Sequence, residues 1–346
     1  MACDNPRIKI QVFQRISDIN QDEWDGLSGK RPFQSQRWHQ YGERVMSDCK
    51  PTYLLAYKNE KLVARAALWL IRNEPLPKMN FLARKALTLF LKRFPLLICK
   101  SPLAFTGGVI FVDDENQSEL ASALSNAALS VARQQSASFV LFDYLSKTNA
   151  QNLSAPFRVI SAANPGTVME NKWRSLDDYL AAGDKKDRQH YKRVMREAEN
   201  LGIKISRHAR VEKISDALNL IRSVERTHGA LPNPWARPML EQMEMVNGVF
   251  LTATINAQLV GCGLLLEDNH TQMTSLLGLA ERVSYVYFML VYESLKIAFE
   301  HQVSLLRWGS GAYAEKQRLG FSLEDNDALA FAASNPTLQN LIRRFI

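Results

Sequence analysis

In SLLRWGSGAYAEKQRLGF (Ser304–Phe321), Gly309, Ser310 and Gly311 stand between an apolar run and a basic segment that carries Lys316 and Arg318. Leu305, Leu306 and Trp308 have the pattern of a β-strand, and Gly320-Phe321 closes the basic segment. Glycines let a backbone turn sharply and approach a ligand closely, and a lysine beside them supplies a point charge. The stretch therefore has the makings of a ligand site with a cation at its side. A buried strand ending in a surface turn would be written with the same residues, so the motif needs support from the rest of the chain.

Several other chemistries have no signature. There is no GxxxxGK[ST], no GxGxxG after a strand, no HExxH and no GxSxG. These absences argue against a P-loop NTPase, a Rossmann oxidoreductase, a zincin and an α/β-hydrolase. The four cysteines (Cys3, Cys49, Cys99, Cys262) are scattered singly, which predicts reduced thiols, no structural zinc and no disulfide framework. No apolar run reaches the roughly 18–20 residues of a membrane span. The N-terminal MACDNPRIKIQVF has no apolar core of a signal peptide. A cytoplasmic protein is expected, without a metal.

The elements that must position the glycine–lysine stretch emerge from an internal repeat. YLLAYKNEKLVARAALWLI (Tyr53–Ile71) aligns without gaps with FLTATINAQLVGCGLLLED (Phe250–Asp268), and each reads as a β-hairpin. LSVARQQSASFVLFD (Leu129–Asp143) aligns with LKIAFEHQVSLLRWG (Leu295–Gly309), each a helix followed by a strand. Hairpin, helix and strand occurring twice predict two copies of one α/β domain, which suits 346 residues. The expected division is 1–165 and 166–346, the second domain opening with linker helices. Further elements are a strand over Ile8–Phe13, a polar helix over Ile16–Leu27, and a turn and helix over Arg31–Val45 that puts Phe33, Trp38 and Tyr41 on one side.

Net charge is +8 and the isoelectric point about 9.3, which implies an anionic partner. The charge is concentrated: Lys61–Lys100 holds nine Lys/Arg against one acid, Glu74. The spacing of the two repeats places about 31 extra residues there, in Arg72–Thr106. Within it KMNFLARKALTLFLKRF (Lys78–Phe94) reads as a basic amphipathic helix ended by Pro95. It suits packing on its own domain, an anionic membrane surface, or a tRNA or acidic carrier protein. A second basic helix, Lys185–Asn200, is expected between the copies, capped by Asp184 and ended by Gly202. Its Arg188 and Lys192 lie one turn apart, a spacing for phosphate contacts or for solvated ion pairs. His228-Gly229, in THGALPNPW, would line a cleft or serve a structural role.

The order of these features resembles the FemAB-like branch of the GNAT acyltransferase superfamily, which includes peptidoglycan-bridge aminoacyltransferases and polysaccharide-associated tandem-GNAT proteins. The likeness runs from Phe33…Trp38 through the hairpin, SPLAFTGGVIFVDD (Ser101–Asp114), Leu141-Phe142-Asp143, the Lys185–Gly202 helix and His228-Gly229. It ends at Gly309-Ser310-Gly311…Lys316…Gly320-Phe321. It implies an α/β (α+β layered) fold of two GNAT-like domains, each a mixed, mostly antiparallel sheet flanked by helices, joined by a basic helix. It also implies an acyltransferase acting on an amine or hydroxyl in cell-envelope, polysaccharide or lipid metabolism. Lys316 matches the lysine that helps hold the acyl donor or stabilise its carbonyl, with Tyr313 and His228 as proton-transfer candidates. Gly309, Ser310, Gly311, Arg188, Lys192 and Trp38 are expected to bind substrate.

Two departures bear on the donor. Glu315 stands where family members often have an aromatic residue. ERVSYVYFML (Glu281–Leu290) replaces the glycine loop that holds a pyrophosphate. No tightly bound cofactor is expected, and the co-substrate is acyl-CoA, acyl carrier protein or aminoacyl-tRNA, the last two being favoured. The first copy has Tyr144-Leu145-Ser146-Lys147-Thr148 in place of the glycines. The reactive cleft is therefore expected in the second copy, the first helping to form an acceptor groove. No DNA partner is expected; a peripheral position on the inner membrane face through 78–94 is. The rival reading is a non-catalytic tandem-GNAT module that binds an anionic partner or a membrane surface, which a cleft plugged by side chains would favour.

Overall fold

The computed structural model describes residues 8–72, 81–112, 116–153, 155–161, 165–281, 283–335 and 339. The chain begins with β1 (Lys9–Phe13), α1 (Gln21–Ser28), α2 (Gln36–Val45), β2 (Lys50–Lys58), β3 (Lys61–Ile71) and α3 (Phe81–Arg93). It continues with β4 (Leu96–Cys99), β5 (Val109–Phe111), α4 (Gln117–Gln134), β6 (Phe139–Leu145), α5 (Lys147–Gln151) and β7 (Arg158–Ser161). Next come β8 (Thr167–Glu170), α6 (Leu176–Ala182), α7 (Lys185–Asn200), β9 (Lys204–His208), α8 (Ile214–Thr227) and α9 (Ala236–Gln242). The remainder is β10 (Val249–Ile255), β11 (Gln258–Asp268), β12 (Thr271–Leu279), α10 (Val286–Glu300), β13 (Leu305–Trp308), α11 (Tyr313–Arg318), β14 (Ser322–Leu323) and β15 (Ala328–Ala333).

Two mixed sheets result. One has the order β1-β2-β3-β4-β6-β15-β7, with β5 also on β3; the other has the order β9-β10-β11-β12-β13-β8-β14. Position by position they match. The hairpins β2–β3 and β10–β11 both turn on two residues at positive φ, Asn59-Glu60 and Asn256-Ala257. Both carry a bulge at equivalent places, Ala56/Tyr57 and Ala253/Thr254. Each sheet has one parallel pair, β4–β6 and β12–β13, joined through α4 and α10 respectively.

The chain divides into two units: one holds 8–72, 81–165 and the residues from Glu324 onward, the other 166–323. The second domain therefore ends at Leu323 rather than at 346. The reason is strand pairing, since β15 lies antiparallel to both β6 and β7, while β8 fills the equivalent place in the second sheet by pairing with β13 and β14.

Two further expectations change. The helix expected over Ile16–Leu27 is a 3-10 turn, Ile16–Asp18, followed by α1, because the Asn20 side chain accepts from the Glu23 N–H and starts a new helix. The basic segment is not one insertion: it contains β4, the counterpart of β12, with α3 before it. Residues 78–80 lie outside the described residues. Among the described residues no helix is long and apolar enough to cross a membrane.

In the first unit, alternation divides the hairpin between two cores. Leu54, Ala56, Ala64, Ala66 and Leu68 pack with Leu124 and Ala128 of α4. Tyr53, Leu55 and Ala67 face Trp24 on the other side. This second core holds polar groups as well. Arg65, fully buried, lies 3.5 Å from the Trp24 ring centroid and donates to Ser28 Oγ (2.6 Å) and the Gln34 carbonyl (2.9 Å). His39 is edge-on to Trp24 and Tyr53, and neither of its ring nitrogens has a hydrogen-bond partner among the described residues.

Burial, and then Arg65, holds the His39 pKa well below 6.5. As pH falls below about 6.5 the unfolded chain takes up this proton and the folded chain does not, so stability declines on that side only. The contribution is at most about 1.4 kcal/mol per pH unit. His39→Phe removes two unsatisfied nitrogens and is expected to flatten this acid limb. Denaturant midpoints between mild acid and neutral pH, compared with the parent, check it.

Candidate active site

In the second unit the parallel pair β12–β13 comes apart. Pairing runs from Thr271↔Leu305 to Thr274↔Trp308 and stops, while β12 continues to Leu279. The cause is local. Between β11 and β12 the register jumps from Leu265↔Thr274 to Leu264↔Leu276, so Ser275 is an extra residue. A bulge of this kind bends a strand, and it falls next to the last residue paired with β13. Beyond it lies a cavity of about 1000 Å³, lined by Leu277 and Leu279 of β12, Ser310 and Gly311 after β13, Lys316, and the end of α8.

Close packing fixes the walls. A Cβ on Gly278 would lie 2.7–2.9 Å from Cys262 Sγ, Leu220 Cβ and Ile221 N, so α8 rests on the bare backbone of β12. α8 thereby brings Ser223, Thr227 and His228 to the cavity, His228 standing exposed just past its last turn. Gly261 admits α10 in the same way, since an added Cβ would meet Val286 Cγ1 at 2.3 Å. The first turn of α10 carries Tyr287 and Phe288 into the cavity wall.

Lys316 is the one buried cation of this wall, 7% exposed. Its Nζ donates to the carbonyls of Gly309 (2.6 Å) and Trp308 (3.2 Å). Those carbonyls also accept from Thr167 Oγ1 of β8, closely at Trp308 and at 3.3 Å at Gly309. Burial pushes the Lys316 pKa down to about 8. The ammonium thus dominates at neutral pH and lies within reach of mild base. Gly311 (φ 88°) and Ala312 (φ 47°) set the left-handed turn that swings α11 back so that Lys316 meets its own strand end. Phe321 stacks on Trp308 at 4.2 Å, and the Tyr179 hydroxyl donates to the Leu319 carbonyl, which fixes the far end of α11.

Lys316, His228, Ser310 and Gly311 are thus brought to one cavity, with the Gly309 carbonyl on the lysine. Tyr313, the first residue of α11, is half-buried and is not among the side chains that line it. Arg188 is occupied elsewhere: its Nη1 donates to the Gly183 carbonyl at 2.5 Å, at the end of α6. Its side chain is otherwise exposed and is not among those that line the cavity. Lys192 is exposed on α7, whose inner side seats His190 and Tyr191 against Tyr292 of α10 (His190 Nδ1 to Tyr292 Oη, 3.0 Å). Trp38 is a core residue, fully buried against Phe33 and Tyr41, with its indole N–H donating to the Pro102 carbonyl at 2.8 Å.

Glu281, Glu315, Tyr287 and Phe288 also line the cavity and were not expected to. Nothing in their spacing announces it, because they reach the cavity only once the bulge has opened the sheet. Burial, and then the charge of Glu315, raises the Tyr287 pKa, which keeps that phenol neutral. Among the described residues no three His, Cys, Asp or Glu side chains cluster as they would around a metal ion.

A FemAB-like family model, described as peptidoglycan biosynthesis/recognition, matches residues 15–346. The crystal structure of FemX aligns with a TM-score of 0.65 at 13% identity, over 96% of this chain and 99% of that one. A tandem GNAT protein from the clavulanic acid biosynthesis pathway gives 0.60 at 13% identity, over 95% and 99%. A conserved protein from Bacteroides thetaiotaomicron gives 0.52 at 12%, over 94% and 99%. At these identities the likeness is one of fold, that of a tandem GNAT. No curated protein matches the chain in sequence.

Gly278→Val places an isopropyl group where α8 touches β12. It is expected to cost roughly 1–3 kcal/mol and to shift the helix that carries His228. Urea unfolding measures the first effect; protease accessibility at 223–229 measures the second.

Proposed function

Because the chain belongs to the FemAB-like family, we propose that it moves an acyl or aminoacyl group from an activated ester or thioester to an amine or hydroxyl acceptor in cell-envelope assembly. The observation that carries this reading is the open cavity beside the parted ends of β12 and β13, with the buried ammonium of Lys316 in its wall. A purely binding relative would be expected to have that cleft filled.

The chemistry needs positioning and charge stabilisation more than covalent machinery. The acceptor's nitrogen or oxygen attacks the donor carbonyl, and a new C–N or C–O bond forms. The bond to the departing oxygen or sulfur then breaks, taking its electron pair. The proton lost by the acceptor ends on that leaving group. Two of the Lys316 N–H bonds are spent on Gly309 and Trp308, which leaves one for the tetrahedral oxyanion. The edge of β12 past Thr274 offers backbone groups on the same side of the cavity. Glu315, Glu281 and His228 line that cavity too and are the candidates for proton transfer. In the donor question, Tyr287 and Phe288 at the start of α10 stand where a glycine loop would cradle a pyrophosphate. Aminoacyl-tRNA or a carrier protein is therefore proposed ahead of coenzyme A.

Single-turnover transfer tests the assignment, with aminoacyl-tRNA, acyl carrier protein and acyl-CoA offered in turn. Lys316→Ala is expected to lower the rate on the order of 10²–10³-fold. Because the ammonium form is the donor, activity should fall as pH rises through about 8. Full activity in folded Lys316→Ala, or a rate that climbs through pH 8, contradicts the role given to this residue.

A further inference from the structure

We propose that α3 docks the protein on an anionic lipid surface. An ordinary surface helix turns its apolar side chains inward, and among the described side chains of α3 several do not. Leu82 and Leu89, two turns apart, are 77% and 59% exposed. Phe90 and the adjoining Phe94 are each 39% exposed and pack on one another at 4.8 Å. At 100° per residue, Leu82, Ala86, Leu89 and Phe90 share one side of the helix, and Ala86 is exposed there as well.

Cations border this stripe. Lys85, Lys92 and Arg93 are exposed, and the Arg93 guanidinium lies 5.3 Å from the Phe94 ring centroid. No acid occurs in Phe81–Arg93. The helix is anchored on other sides, through buried Leu91 and through Arg72, which donates to the Lys92 carbonyl at 2.8 Å. The stripe adjoins a cleft of about 460 Å³ lined by Phe90, Phe94 and Arg133, among others.

Charge complementarity and apolar exposure together choose the occupant. A phosphate backbone would use the cations but leave two leucines and two phenylalanines in water. An acyl region beneath anionic headgroups takes both: the rings and leucines enter the boundary and the lysines remain among the headgroups. This inference goes beyond the transferase reading and does not rest on it.

The test is co-sedimentation of the full chain with vesicles of phosphatidylcholine alone and with phosphatidylglycerol added. Binding is expected only in the second case, weakening as salt rises. Lys85→Glu with Lys92→Glu should lower the partition coefficient roughly fivefold or more per site. Leu82→Ser with Leu89→Ser should lower it on the order of tenfold; both leucines are exposed, so folding should be retained and circular dichroism confirms it. No binding to the anionic vesicles overturns the proposal, as does binding indifferent to the leucines. A dimer dissociated by the leucine changes overturns it in favour of a second copy. tRNA retention that depends on Lys85 and Lys92, without lipid binding, overturns it in favour of nucleic acid.

Discussion

The second unit depends on one interruption of hydrogen bonding: β12 and β13 pair over four residues and then part. Had the pairing continued, Leu277 and Leu279 would lie within a closed sheet and no cavity would form. The extra residue at Ser275 bends β12 at that point, and α8 and α10 hold the resulting gap open through the bare backbones of Gly278 and Gly261. Lys316 closes the arrangement by hydrogen-bonding the carbonyls of Trp308, the last residue of β13, and of Gly309 just after it. The pKa of Lys316, pushed down to about 8, follows from its burial.

The first unit uses the same plan differently. Its sheet is completed by β15, the last strand described, while β8 completes the second. Each sheet so receives its sixth strand from outside the hairpin–helix–strand repeat. The first unit has β4, only four residues long, where the second has the nine-residue β12. It holds a buried cluster of Arg65, His39 and Trp24 on one face of its hairpin. It also carries α3, which has no equivalent in the second unit and bears the exposed apolar stripe.

Much of this was legible in the residues. The hairpins, the two helix–strand units and the α7 caps at Asp184 and Gly202 follow from local patterns that tertiary context does not override. That Gly309, Gly311 and Lys316 stand together was legible because a glycine turn and a lone lysine at a strand end are visible in one stretch. What was hidden depends on long-range pairing. β15's place in the first sheet rests on contacts with β6 and β7, far away in sequence, and a short strand carries no mark of its partner. Trp38 read as a ligand contact because an aromatic on an amphipathic helix looks the same whether it faces a cleft or a core. That Arg188 donates to the Gly183 carbonyl is likewise not visible in the spacing of α7. Tyr287 and Glu315 were missed because the bulge that gives them a cavity leaves no trace in TQMTSLLGL.

The central claim is that donor binds where β12 and β13 part. Amide hydrogen exchange with and without a non-hydrolysable aminoacyl-tRNA or carrier-linked acyl analogue tests it most directly. Protection is predicted at 275–280 and 309–316, the edge of β12 and the turn into α11, with β10 unchanged. Binding that leaves these segments unprotected, while protecting another part of the chain, would contradict the account.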